Sequence, residues 1–286
     1  VPMAVRRVRE WVRRSEAAPL VLSAELLDRV VVERASPPPR TIERLAILAH
    51  WSPSAGVSRS AETLVNELVG SGYYVVMVSS AEVPEPLDFR LVRGDNLVVL
   101  RKPNIGYDFG SWAVGLHWAA RWLDAATVVL CNDSLVGPFR SLAPVLSRVD
   151  ESGADLVGLT DNTQFRPHLQ SYFVAYRRGI LRDPALQIFW SRVRHHADKQ
   201  QIIHAGELGL AALCATEGYA VEALFPASRV VGWSQNPTIL GWQGLIDQGF
   251  PFVKREIVRH PELAPAGDRI PAVVRERFGV TIEEWL

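Results

Sequence analysis

The stretch Ala126-Thr-Val-Val-Leu-Cys-Asn-Asp-Ser134 decides the fold. Thr127 through Cys131 carry no charge and are rich in β-branched side chains, so they read as a strand buried on both faces. The polar triplet Asn132-Asp133-Ser134 follows at once. Working outward, similar apolar runs precede it: LAILAHW (45–51), YYVVMVSS (73–80) and NLVVLRK (96–102). ADLVGLTDN (154–162) follows it. Between the runs the periodicity is helical, at 60–71, from about Ser111 to Leu123, and near 141–150. In the first of these Leu64, Leu68 and Val69 share one side, and Gly70 and Gly72 stop it. This alternation predicts an α/β fold with a Rossmann-type, mostly parallel sheet flanked by helices. In open sheets of this kind ligands bind beyond the carboxyl ends of the strands. The polar groups just after each apolar run are therefore the candidate site.

Further along, HLQSYFVAYR (168–177) predicts another strand, and 184–196 and 205–217 predict helices. YAVEALF (219–225) is a last strand-like run, before a tail rich in Pro, Trp and Gly. Residues 1–35 read as helical, with Arg6, Arg7, Arg9, Arg13 and Arg14 crowded in the first segment. A solvated helix packed on the main domain accounts for them, and a basic amphipathic helix on anionic lipid is the alternative. Ser36-Pro37-Pro38-Pro39 marks a boundary. The expected layout is a helical N-terminal extension (1–40), one α/β domain (41–260) and a C-terminal helical tail (261–286).

The bulk composition narrows the function. Lys plus Arg equals Asp plus Glu at 31 each over 286 residues, so the formal net charge is zero. Nucleic-acid binders usually carry a basic excess, and no nucleic-acid partner is expected. Cys131 and Cys214 each sit inside an apolar run and read as buried free thiols, which suits a reducing cytoplasm. Apolar stretches fall short of the ~20 residues a membrane span needs. No signal-peptide pattern opens the chain. The chain reads as soluble and cytoplasmic, or peripheral on a membrane surface.

Four polar clusters stand out. In Arg101-Lys-Pro-Asn-Ile-Gly-Tyr-Asp-Phe-Gly-Ser-Trp112, Gly106 and Gly110 allow close backbone approach, and the following helix start offers free N–H groups. Arg101 and Lys102 suit a diphosphate, and Asp108 could accept from sugar hydroxyls. A tight turn capped by Asp108 or Ser111 accounts for the same residues. Asn132-Asp133-Ser134 brings one carboxylate to a strand end, where hard cations find oxygen ligands, and a plain turn through Gly137-Pro138 is equally compatible. His168, Gln170 and Tyr172 alternate along one side of a predicted strand and could line an acceptor pocket. A lone His is more often structural. In Ile203-His-Ala-Gly-Glu-Leu-Gly209, Glu207 falls at a helix start with His204 one turn before. It could serve as a base, or simply complement the helix dipole.

These segments, in this order, resemble the rhamnan synthesis protein F family of bacterial polysaccharide enzymes. The resemblance is carried by PNIGYDFGSW, LCNDSLVGPF, DLVGLTDN with HLQSYFVAY, and IIHAGELGL, with NPT…W and GFPFVKREIVR behind them. It covers about residues 45 to 258. It implies a GT-A-like glycosyltransferase, with dTDP-β-L-rhamnose as donor and inversion at the anomeric carbon. The acceptor it implies is a lipid-linked, cell-surface glycan at the inner face of the membrane. By position, Asn132-Asp133-Ser134 stands where such folds place their metal motif, with Asp133 the ligand to a Mg2+ or Mn2+ ion. Because Asn132 and Ser134 are neutral, basic residues and helix ends are the alternative partners of the leaving group. Glu207 stands at the place of the catalytic base. The donor would lie against Asn104, Gly106, Asp108 and the 132–134 turn, with Lys254 or Arg255 at the diphosphate. His168, Gln170 and His204 would position a sugar. Two rival readings are a non-catalytic sugar-nucleotide-binding subunit and a nucleotidyltransferase. The second expects a Gly-rich loop after the first strand, and WSPSAGVSRS has only Gly56 and Arg59.

Overall fold

Strands form where the apolar runs fall in the computed structural model, which describes residues 18–196 and 198–286. They are β1 (Val31–Arg34), β2 (Arg44–His50), β3 (Tyr74–Ser79), β4 (Leu97–Arg101), β5 (Thr127–Asn132) and β6 (Leu135–Val136). β7 (Leu156–Gly158), β8 (Asp161–Asn162), β9 (His168–Leu169), β10 (Phe173–Arg177), β11 (Val221–Ala223) and β12 (Val253–Lys254) follow. The helices that frame the sheet and the site are α1 (Arg59–Gly70), α2 (Tyr107–Trp118), α3 (Ala143–Glu151) and α4 (Pro184–Ser191). After them come α5 (Lys199–Ala205), α6 (Glu207–Glu217), α7 (Arg255–Arg259) and α8 (Ile270–Phe278).

Eight strands make one sheet in the order β1-β4-β3-β2-β5-β10-β7-β11. β4, β3, β2 and β5 are mutually parallel. β10 is antiparallel to β5 and to β7, so β7 and its parallel neighbour β11 return to the common direction. β1 runs antiparallel at the far edge. The expected mostly parallel sheet flanked by helices is the one present.

The core has two layers because the central strands are buried on both faces. Trp112, Leu116, Leu186 and Leu210 cover one face from α2, α4 and α6. Leu64, Leu68, Val145 and Val149 cover the other from α1 and α3. α2 lies closest to the sheet. A Cβ on Gly115 would stand 2.3 Å from Ile47 Cγ2, and Trp112 Nε1 donates to the Cys131 carbonyl at 2.8 Å. Both cysteines are buried and free.

Several expectations change. The Arg-rich part of the predicted N-terminal helix, residues 1–17, lies outside the described residues. The rest is not one helix: Ala24–Leu27 makes a single turn, and Val31–Arg34 is the edge strand β1. The β-branched run Val30-Val31-Val32 favours strand, and β4 offers it a pairing edge. The predicted helix at Ser111 begins four residues earlier, at Tyr107, which moves Asp108 from a loop into a first helical turn. The predicted strand 168–177 is split into β9 and β10 by a turn at 171–172. The C-terminal tail is helical in α8 but closes on the domain. Ile270, Val274, Ile282 and Trp285 pack with Val136 and Phe139, and Ser60 Oγ donates to the Trp285 carbonyl at 2.6 Å.

The tight seat of α2 gives a stability prediction. Gly115→Val should lower the unfolding free energy by ~1–3 kcal/mol, because the overpacked side chain must push α2 off β2. Urea unfolding followed by circular dichroism measures it.

Candidate active site

The chain leaves β2 for β3 and β4 on one side and returns to β5 on the other. The carboxyl ends of β2 and β5 therefore flank the topological switch point, where open sheets leave a crevice. Two cavities meet there, at the turn Asn132-Asp133-Ser134. The first, of about 610 Å3, is bordered by His50, Trp51, Asp133, Arg90, Arg255 and Arg259. The second, of about 430 Å3, is bordered by Asp108, Asn132, His168, Gln170, Glu207 and Lys254. Ser134 borders both. Alternation along the chain sorts neighbours between them: Asn132 and Lys254 serve the second cavity, Asp133 and Arg255 the first. Asp133 thus borders the first cavity, and Asp108 and Glu207 the second.

Around the turn the polar groups hold one another. Asn132 Nδ2 donates to Asp108 Oδ2 at 2.7 Å, and Asn132 Oδ1 accepts from Ser134 Oγ at 2.7 Å. Asp133 Oδ2 accepts from the Trp51 amide at 3.1 Å. Arg255 Nε donates to the Asp133 carbonyl at 3.1 Å, and its Nη2 to Ser58 Oγ at 3.3 Å. Burial dominates the electrostatics. It raises the Asp108 carboxyl to about 7, helped by the negative charge of Asp133. It also raises Asp133 to about 6, against the Trp51 amide and Arg255, which favour the ionised form. His50 is pushed down to about 4 by burial and by Arg101 and Arg255, so its imidazole is neutral.

Glu207 is the first residue of α6, behind Gly206, whose Cβ position is filled by the Phe109 ring 2.6 Å away. Its Oε1 accepts from Ser171 Oγ at 2.5 Å, and its Oε2 lies 3.5 Å from His168 Nε2. The turn that splits the predicted strand brings Ser171 to this carboxylate. Burial pushes Glu207 up, but His168 and Ser171 outweigh it and hold the carboxyl below its usual range. His168 moves the opposite way: burial lowers it, while Glu207 and the Arg166 carbonyl, 2.8 Å from Nδ1, carry it above its usual value. The two shifts run in opposite directions, so the contact favours the ionised form of Glu207 and the protonated form of His168. Gln170 borders the second cavity with Tyr172, and both bond Thr160 Oγ1.

Three candidates fall elsewhere. Asn104 is exposed and donates to Glu82 Oε1 at 2.5 Å, outside both cavities. Gly106 caps α2 at φ 82°, where a Cβ would meet Val21 Cγ2 at 2.8 Å, so its task is backbone geometry. His204 packs against Phe165, ring centroids 5.4 Å apart, and does not border the second cavity. Arg101 and Lys102 are also structural. Arg101 bonds Glu33 Oε2 at 2.6 Å, and Lys102 Nζ donates to the Ile105 carbonyl at 2.7 Å. Residues that sequence reasoning passed over are Trp51, Arg90, Ser171, Asn236 and Arg259. Trp51 was legible, since it follows an apolar run as Asn132 does.

The turn offers a divalent cation few protein ligands. Among the described residues no three His, Cys, Asp or Glu side chains cluster as metal ligands. Asp133 is the single carboxylate of the turn, and the Arg255 cation already lies beside it. A Mg2+ or Mn2+ ion would need nearly all its ligands from a diphosphate and water.

The family described as RgpF, Rhamnan synthesis protein F, matches residues 75–281. The uncharacterised protein y4gN of Sinorhizobium fredii (strain NBRC 101917 / NGR234) is 28% identical over 208 residues, or 71% of this chain and 54% of that protein. The chain thus spans about half the length of that relative. Virulence protein VirA of Vibrio anguillarum is 28% identical over 239 residues, covering 68% of this chain and 74% of its own length. Among solved structures, the mannosyltransferase PcManGT from Pyrobaculum calidifontis, in complex with GDP-Man and Mn2+, is similar at a TM-score of 0.35. That match has 13% sequence identity and covers 76% of this chain and 61% of the other.

The raised Asp108 carboxyl makes a stability prediction. Its folded value, about 7, lies above the unfolded one, so between pH 4 and 7 the folded state binds the extra proton. Stability from this group is therefore present at low pH and lost as pH rises through 7. Asp108→Asn removes the loss. The variant should melt several °C above the parent at pH 8, each pKa unit being worth about 1.4 kcal/mol, and the gap should narrow as pH falls below 7 and close only near pH 4. Calorimetry at both pH values measures it.

Proposed function

The chain belongs to the rhamnan synthesis protein F family, and from that premise we propose that it is an inverting glycosyltransferase of bacterial polysaccharide assembly. The proposed donor is dTDP-β-L-rhamnose and the acceptor a lipid-linked, cell-surface glycan. The observation that carries this reading is the meeting of an arginine-bordered cavity and a Glu207-bordered cavity at one strand end.

In this reading the nucleotide lies in the first cavity, against the segment that follows β2. The diphosphate faces Arg255 and Arg259, one helical turn apart on α7. The sugar crosses the Asn132-Asp133-Ser134 turn into the second cavity, where Asp108 and Asn132 receive its hydroxyls. The acceptor oxygen attacks the anomeric carbon while the bond to the diphosphate oxygen breaks. Glu207 takes the hydroxyl proton, and His168 and Ser171 hold its carboxylate ionised and aimed. The charge that grows on the leaving diphosphate is met by Arg255 and Arg259, with Lys254 on the sugar side. Asp108 is the second candidate base, since its carboxyl titrates at about 7, near working pH.

No helix among the described residues is long and apolar enough to cross a membrane. We place the reaction at the cytoplasmic face of the plasma membrane, with the protein held there peripherally.

Two measurements test this reading. A screen of nucleotide-sugars should raise the melting temperature most with dTDP-L-rhamnose, because a ligand that binds only the folded state stabilises it by mass action. Glu207→Gln should keep that shift and lose ~10²–10⁴-fold in transfer rate. Near-normal turnover in a folded variant moves the base role to Asp108, and donor binding without turnover in the parent protein identifies a binding subunit instead.

A further inference from the structure

A third cavity, of about 470 Å3, lies between α4, α5 and α6, away from the Asn132-Asp133-Ser134 turn. Its wall is apolar: Ile188 and Phe189 come from α4, Ile202 from α5, and Ala212 and Leu213 from α6. Its size is that of a small-molecule site. Phe109 and Ile202 border it and also the Glu207-bordered cavity, so the two adjoin.

The charged groups on its border are all of one sign. Arg192, Arg194 and His196 line it from the segment that leaves α4, and no Asp or Glu lines it. Arg194 Nη1 donates to the Ala18 carbonyl at 2.6 Å, while the exposed Arg192 guanidinium has no partner among the described residues. The acids nearest in sequence are turned elsewhere. Asp183 Oδ1 accepts from the Ala185 amide at 2.9 Å, and Asp198 Oδ1 from the Gln200 amide at 2.8 Å. Ile188, 49% exposed, and Arg192 stand four residues apart, which sets an apolar and a cationic group on one side of the end of α4. His196 is 4% exposed, and its Nδ1 is buried with no hydrogen-bond partner. Leaving such an atom unpaired is costly, and a ligand in the cavity would satisfy it.

An apolar wall with a cationic end fits an amphiphile: hydrocarbon between the helices, an anionic head at the arginines. Residues 1–17 join the described chain at Ala18, beside Arg194, but they hold five Arg against two Glu and set like charge against like. We propose that this cavity is a lipid-phosphate site, with the hydrocarbon packed between α4 and α6 and the phosphate held by Arg192, Arg194 and His196. Guanidinium groups bind phosphate oxygens through paired N–H donors. That the lipid is the anchor of the acceptor rests on the transferase reading. The adjoining cavities then hold the two ends of one substrate, lipid beside α4 and glycan beside Glu207.

Calorimetric titration of the full chain tests this, with dTDP present at saturation to occupy the first cavity's arginines. The probes are farnesyl diphosphate (below its micelle concentration), farnesol and inorganic diphosphate. Farnesyl diphosphate should bind, with farnesol and diphosphate each at least about tenfold weaker. Arg192→Ala, at an exposed position, should weaken farnesyl diphosphate about tenfold and leave farnesol unchanged. Ala212→Phe, which fills the cavity from a half-buried helix position, should weaken both about tenfold or more. Both variants should keep the parent's dTDP affinity. No binding of farnesyl diphosphate, as when residues 1–17 fill the cavity, overturns the inference, and so does unaltered binding in Arg192→Ala. Either result with dTDP still bound spares the transferase reading. Farnesyl diphosphate binding without dTDP binding overturns that reading and the lipid's role as acceptor anchor.

Discussion

β5 is bonded to parallel β2 from Arg44–Thr127 to Ala49–Asn132, and to antiparallel β10 on its other side. Side chains alternate along such a ladder, so the place where it ends decides what each following residue faces. Ending it at Asn132 gives Asn132 to one cavity and Asp133 to the other. A slip of one residue would exchange them and swap Val128 and Val129 between the two core layers. The same constraint reaches the distant chain through the short β6–β12 ribbon, where Lys254 pairs with Leu135 and the Arg255 amide donates to the Ser134 carbonyl at 2.9 Å. Lys254 and Arg255 are thereby divided as Asn132 and Asp133 are.

What this geometry concentrates is poorly solvated charge. Asp108 and Asp133 are both raised by burial, Asp133 pushes Asp108 further, and Arg255 is itself pushed down by burial. Isolated charges in such a place are costly, and the fold tolerates them through hydrogen bonds from Asn132 and the Trp51 amide. The Glu207–His168 pair follows the opposite rule. There, hydrogen bonds to the ionised form outweigh the cost of burial, so one carboxylate stays ionised beside another that titrates near neutrality. Environments that push two carboxyls apart in this way are the pattern of sites that divide acid and base roles.

The sheet was legible in the sequence because its strands are buried on both faces, which leaves uninterrupted apolar runs such as Leu45–Ala49 and Val128–Cys131. The helix starts were less so. Gly106 and Gly110 read as a ligand loop, yet they serve close packing: a Cβ on Gly110 would lie 2.6 Å from the Ile105 carbonyl. Composition shows that a backbone approaches something closely, and not whether that partner is a ligand or the chain itself. Arg101 and Lys102 misled for a related reason, since a basic residue looks the same in sequence whether it faces phosphate or buried carbonyls. The position of Glu207 was legible because a carboxylate at a helix start is locally visible. Ser171 was not, because its role depends on a break in a strand that periodicity alone continues.

Single displacement places a further demand that this arrangement suits. Nucleophile and leaving group must lie on opposite sides of the anomeric carbon, so the base and the cations that receive the diphosphate have to be separated by about the thickness of a sugar. A single crowded cleft holding both would let Arg255 pair with Glu207 and weaken each. The 132–134 turn keeps the first cavity's arginines on one side and the Glu207–Ser171–His168 group on the other. Asp108, in the first turn of α2, is tied to that turn by its bond from Asn132 within the second cavity. The strand end that fixes the register thus also divides the arginines from the Glu207 group.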